Sequence, residues 1–142
     1  MPRLSTSDLS TSLRIAVARL SRRLRAEKAD HELSDTQISV LAFVVRSGAP
    51  TIGQLSEFER VTPPSMNRTV NHLEAAGYVQ RTPDPDDGRK VVVIVTGSGR
   101  ELVAETRRRR DAWLHKRLRA LTPEQRETLA DAAAIMRELA DS

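Results

Sequence analysis

The chain has 142 residues, of which 39% are hydrophobic and 30% charged, with a net charge of +4. That length suits one compact domain and that hydrophobic share excludes an intrinsically disordered chain, while the absence of cysteine excludes disulfides, thiolate metal sites and thiol nucleophiles. Aromatic residues make up only 3%, so the core must be built from Leu, Val, Ile and Ala, and an apolar interface between copies would bury surface that a lone chain exposes. An oligomer is expected. The cationic excess suggests an acidic partner, with nucleic acid ahead of a membrane because no long apolar run, signal peptide or lipidation motif is seen; a cytoplasmic location is the expectation. The count alone does not decide this, because arginine far outnumbers lysine (Lys28, Lys90, Lys116), a skew that coding composition can produce.

Leu9, Leu13, Val17, Leu20 and Leu24 recur at steps of three and four, which predicts a long amphipathic helix within residues 1–33. Ser34 and Gln37 form a capping box, in which a hydroxyl and an amide satisfy two otherwise orphan backbone donors. The second helix that follows carries Ile38, Leu41, Val44 and Val45 on one face and ends near Gly48. Thr51 and Gln54 repeat the box and open a short third helix, with Leu55 and Phe58 expected inward and an end before Val61. Thr62-Pro63-Pro64 starts a fourth, at Pro63 or Pro64, since proline is tolerated in a first turn but restricts its predecessor. Met66, Val70 and Leu73 give this helix, about 63–76, its inner stripe, and Gly77 supplies the stop.

Beyond Gly77 the pattern becomes Tyr78-Val79-Gln80-Arg81, a turn-rich Pro83-Asp84-Pro85-Asp86-Asp87-Gly88, and Val91-Val92-Val93-Ile94-Val95, which reads as a hairpin over about 79–96 with a protruding tip. Helical periodicity returns from Ser98 to Ala120, and Thr122-Pro123-Glu124-Gln125 opens a last helix with Leu129, Ala132, Met136 and Leu139 in its stripe. The expected fold is mainly α with a small β-hairpin wing. One structural domain overall is anticipated, with residues 34–96 forming a winged helix-turn-helix and residues 1–33 and 97–142 supplying helices that bury their stripes on each other, on a second copy, or both.

On the fourth helix the inner stripe leaves Pro64, Ser65, Asn67, Arg68, Asn71 and His72 facing outward. Arginine can bond guanine in a bidentate manner, asparagine adenine, and serine a base edge or a phosphate, while the helix start at Thr62 favours a phosphate. On an isolated amphipathic helix the same residues would read as solvated surface; the hairpin that follows favours DNA. At its tip stand Asp87-Gly88-Arg89, flanked by Arg81 and Lys90, and a narrow minor groove attracts inserted arginine. Asp87 can hold the Arg89 guanidinium in a fixed orientation, although an exposed ion pair closing an Asp–Gly turn is the plainer alternative.

Thr62-Pro63-Pro64-Ser65-Met66-Asn67-Arg68, Leu73-Glu74-Ala75-Ala76-Gly77-Tyr78-Val79, Asp84-Pro85-Asp86-Asp87-Gly88-Arg89 and Val95-Thr96 together resemble the MarR (multiple antibiotic resistance regulator) family. The resemblance implies a triangular homodimer, a recognition helix from Pro64 in the major groove, and Arg89, oriented by Asp87, in the minor groove. The DNA-binding residues expected on these grounds are Thr62, Pro64, Ser65, Asn67, Arg68, His72, Asp87, Arg89 and Lys90. The sequence departs from many relatives at Glu59-Arg60, where a leucine and a glycine are common, and at Gly88, where an arginine is common.

Arg107-Arg108-Arg109-Arg110 points all round a helix axis and reads as a solvated face before a DNA contact. His31, His72 and His115 are isolated, so no metal is expected, and His72 reads as a phosphate neighbour. No P-loop, nucleotide fingerprint or nucleophile elbow is present, so neither a cofactor nor an enzyme is expected. The function anticipated is a repressor that binds a pseudo-palindromic operator in double-stranded DNA as a homodimer. Its targets would be its own or neighbouring genes, and its release would come from a small, often aromatic and anionic effector whose pocket the sequence does not locate. The alternatives are a dimeric protein-interaction adaptor and a non-specific architectural DNA binder with the same fold.

Overall fold

Side chains that satisfy the first orphan backbone donors set the helix starts. In the computed structural model, which describes residues 3–142, the elements run α1 (Thr6–Ala26), α2 (Asp35–Ser47), α3 (Ile52–Glu59), α4 (Pro63–Ala75), β1 (Val79–Pro83), β2 (Val91–Val95), α5 (Gly97–Arg119) and α6 (Pro123–Asp141). Ser34 Oγ accepts the Gln37 N–H at 3.1 Å while the Gln37 side chain accepts the Ser34 N–H at 2.8 Å, and Thr51/Gln54 and Thr122/Gln125 form the same reciprocal box. Pro63 is the first residue of α4, with Thr62 as its N-cap.

The chain divides into two compact units, residues 25–109 and a second made from the chain ends up to Leu24 and from Arg110 onward. In the first unit, α2, α3, α4 and the hairpin enclose an aliphatic core in which Leu41, Val44, Leu55, Met66, Val70 and Leu73 are fully buried. β1 and β2 pair antiparallel from Val79↔Val95 to Pro83↔Val91. The Val93 N–H also donates to the Pro50 carbonyl at 2.8 Å, and a single bridge between Thr51 and Val92 adds a short third edge to the sheet. The start of α5 docks on the turn after α4: the Thr96 N–H donates to the Tyr78 carbonyl at 3.0 Å and the Thr96 hydroxyl to the Gly77 carbonyl at 2.6 Å. Gly99 is buried against this turn, and a Cβ there would collide with the Tyr78 carbonyl oxygen. The segment leading into α2 is fastened by the Ala29 N–H donating to Thr106 Oγ1 at 3.2 Å and the Tyr78 hydroxyl donating to Asp30 at 2.7 Å.

Phe58 does not point inward as its place in the sequence suggests. It is 41% exposed and stacks on Phe43 of α2, with ring centroids 4.1 Å apart. Leu55 is the fully buried apolar residue of α3, with Ile52 packed partly buried against the same core, because an eight-residue helix turns only one narrow face to it.

In the second unit, two guanidinium groups approach the Trp113 ring of α5, Arg117 at 3.7 Å and Arg23 of α1 at 5.4 Å from its centroid. Arg126 of α6 donates to the carbonyls of Leu118 and Leu121 at 3.2 and 2.6 Å, satisfying acceptors at the end of α5. Neither α1 nor α6 contains a buried residue, and Leu9, Leu20, Leu129 and Leu139 are 51%, 47%, 47% and 58% exposed.

Candidate nucleic-acid interface

The turn between α3 and α4 is closed by the N–H groups of Arg60 and Val61, which both donate to the Ser56 carbonyl. Arg60 is left-handed, at φ 58° and ψ 45°. For a residue with a Cβ this conformation costs about 1 kcal/mol, which explains why glycine suits the position and shows that the turn geometry survives without one.

Met66, Val70 and Leu73 anchor α4 to the core, and Pro64, Arg68, Asn71 and His72 form an exposed row on the other side. Thr62 is exposed and Ser65 half-buried, and the Thr62 hydroxyl accepts the Ser65 N–H at 3.3 Å. Asn67 is half-buried at the edge of the exposed row. Its Nδ2 donates to the Pro63 carbonyl at 3.1 Å, and its Oδ1 accepts from Arg81 Nη2 at 3.2 Å.

Arg81 therefore does not flank the hairpin tip, where its sequence position suggested it. It turns from β1 along α4 and reaches two residues seven apart on that helix. Its Nη1 donates to Glu74 Oε1 at 3.1 Å and its backbone N–H to Glu74 Oε2 at 2.9 Å, while Nη2 reaches both the side chain and the carbonyl of Asn67. Helical spacing rules could not expose this set, because Glu74 and Arg81 lie on opposite sides of the Gly77 turn.

The wing tip is folded by its own aspartates. The Asp86 N–H donates to Asp84 Oδ1 at 2.9 Å, the Asp84 N–H to the Lys90 carbonyl at 2.8 Å and the Lys90 N–H to the Asp87 carbonyl at 3.0 Å. Asp87 Oδ1 accepts both the backbone N–H and the Nε–H of Arg89, each at 3.1 Å. The Arg89 side chain is nonetheless 92% exposed, so its terminal nitrogens point to solvent with Lys90 exposed beside them.

The arginine run is largely engaged with its own chain. Arg108 and Arg109 pair with Glu105, holding its carboxyl below the usual value, and Arg109 and Arg110 donate at 3.2 Å to the carbonyls of Lys28 and Leu24 respectively. Among the described residues no cluster of His, Asp and Glu could hold a metal ion, and no helix is long and apolar enough to cross a membrane.

A MarR family profile matches residues 31–90. An uncharacterized HTH-type transcriptional regulator of Mycobacterium bovis is 44% identical over 137 residues, covering 96% of each chain. A solved structure of a putative transcriptional regulator from Pseudomonas aeruginosa superimposes with a TM-score of 0.87 at 28% identity, covering 99% of each chain. Bordetella bronchiseptica BpsR, solved in a study of the regulation of its DNA binding by 6-hydroxynicotinic acid, shares the fold with a TM-score of 0.70 at 22% identity, over 100% of this chain and 99% of that one.

Proposed function

The chain belongs to the MarR family of transcriptional regulators and carries its winged helix-turn-helix, and from that premise we propose that it binds a pseudo-palindromic DNA operator as a homodimer and represses its own or neighbouring genes until a small molecule releases it. The observation that carries this reading is Arg89: a side chain 92% exposed at a loop tip, yet held through Nε by Asp87. Ordering an exposed arginine contributes little to stability, but it prepares a fixed cation for the negative potential of a narrow minor groove. Pro64, Arg68, Asn71 and His72 face the major groove from α4, where Arg68 has the donor pair that guanine O6 and N7 accept. Thr62 and Ser65, with the start of α4, and Lys90 on the wing lie against phosphates.

The terminal units supply the dimer. The uncovered leucines of α1 and α6 amount to an apolar surface that a second copy would cover, as self-complementary interfaces do. Release follows from population shift: an effector that fits a spacing of the two recognition helices incompatible with successive major grooves lowers affinity for DNA. The small-molecule control of DNA binding described for BpsR supports that part of the reading.

The test is titration of the purified protein with DNA from upstream of its own coding sequence and with scrambled DNA of equal length, at one salt concentration. Preference for the upstream fragment, at two subunits per site and weakened about tenfold or more by Arg89→Ala, is the expected result. Equal binding of the two fragments contradicts self-regulation. Unchanged affinity in Arg89→Ala contradicts the wing assignment.

A further inference from the structure

A guanidinium has only donors, so the atom of Asn67 that faces Arg81 must be its oxygen, and the carboxamide has one orientation. The same arginine is fixed at its other end by the Glu74 carboxylate, through both its side chain and its backbone N–H. Arg81 is thereby a strut between β1 and α4, half-buried and committed on both sides, and a charge-assisted bond of this kind is not given up cheaply to a neutral competitor. Nδ2 is turned the other way: one of its hydrogens is spent on the Pro63 carbonyl, and the second remains.

We propose that Arg81 is a positioning residue for base selection, which orients the Asn67 carboxamide with its oxygen turned toward the strut and its N–H as the group offered to DNA. An asparagine free to use both atoms bonds adenine in a bidentate manner, accepting from N6 and donating to N7. With its oxygen turned toward Arg81 and one lone pair committed there, Asn67 meets a base through its N–H, which favours a base edge that presents acceptors alone, such as guanine O6 and N7. The expectation of adenine recognition that residue type suggests is thus reversed by a neighbour from a different element. This inference rests on the reading of α4 as the DNA-recognition helix.

The experiment compares full-length wild type, Arg81→Met and Asn67→Asp on an operator selected by the wild type and on the set of its single base-pair variants, at constant salt. Arg81→Met keeps an apolar stem of similar length, and a thermal melt of each protein checks that it is folded. Arg81→Met is expected to shift the preference at one base pair in each half-site toward adenine by about tenfold, with the other positions unchanged. Asn67→Asp retains the bond to Arg81 but has no N–H, and is expected to lose discrimination at that same base pair. A uniform weakening across all operators, with base preferences retained in both variants, would overturn the proposal and make Arg81 a structural brace or a phosphate contact. Failure of the wild type to select any sequence would instead remove the DNA-reading premise itself.

Discussion

Tyr78 is the one tyrosine of the chain, and its hydroxyl donates to Asp30 at 2.7 Å. The bond requires a protonated tyrosine and is strongest to an ionised aspartate, so each group alters the other's titration. The hydrogen bond to Asp30, reinforced by burial, pushes the tyrosine up to about 12, and the same bond, helped by the Glu32 N–H, lowers the Asp30 carboxyl below its ordinary value. The sign follows from linkage. The tyrosine's contribution to stability is complete below its unfolded value near 10 and is lost as pH rises through about 12; that of Asp30 is present above the ordinary carboxylate range and is lost as pH falls through its lowered value. Tyrosinate absorbance reports this one residue directly. The native protein should titrate with a midpoint near 12, and the denatured protein near the ordinary 10; a native midpoint near 10 would show that the bond is not made in solution. A pair 48 residues apart obeys no spacing rule, so nothing in the sequence announced it. Asp87 and Arg89, two residues apart in a turn, were legible because local geometry alone brings them together. Asn67 was legible as a candidate contact but not in its orientation, because Arg81 reaches it from the far side of the Gly77 turn.

At the scale of elements, the capping boxes at Ser34, Thr51 and Thr122 and the stripe Met66-Val70-Leu73 carried most of the order of helices. These signals are short-range chemistry, satisfied within one turn of helix. What they could not convey is docking between elements. The first turn of α5 is written Gly97-Ser98-Gly99, and the two glycines look alike in sequence, yet only Gly99 meets another backbone. Gly99→Ala is expected to destabilise by about 2–3 kcal/mol, since the obstructing atom belongs to the Tyr78 main chain and cannot swing aside. Gly97→Ala, with open space around its Cβ, should be neutral or slightly stabilising. Denaturant midpoints of the two variants measure the contrast; equal effects would contradict the close approach. Phe58 makes the same point from the opposite direction: apolar type suggested burial, but α3 is too short to bury two of its faces, and the ring found Phe43 at the surface instead.

For the whole molecule, the terminal stripes were visible as periodic leucines, but periodicity does not say what covers them. In the single chain Leu9, Leu20, Leu129 and Leu139 remain about half exposed, and α1 and α6 bury nothing completely. Helices with no buried residue need an apolar partner, and in the proposed homodimer a second copy would supply one. In that homodimer two α4–wing units read two half-sites related by symmetry. Selection of binding sites by the purified protein from a random pool of duplex DNA tests it most directly. The predicted result is an enriched sequence with inverted half-sites about one helical turn apart, roughly 10 base pairs from centre to centre. Recovery of a pool with no enriched sequence, or of a solitary half-site without its inverted mate, would contradict it.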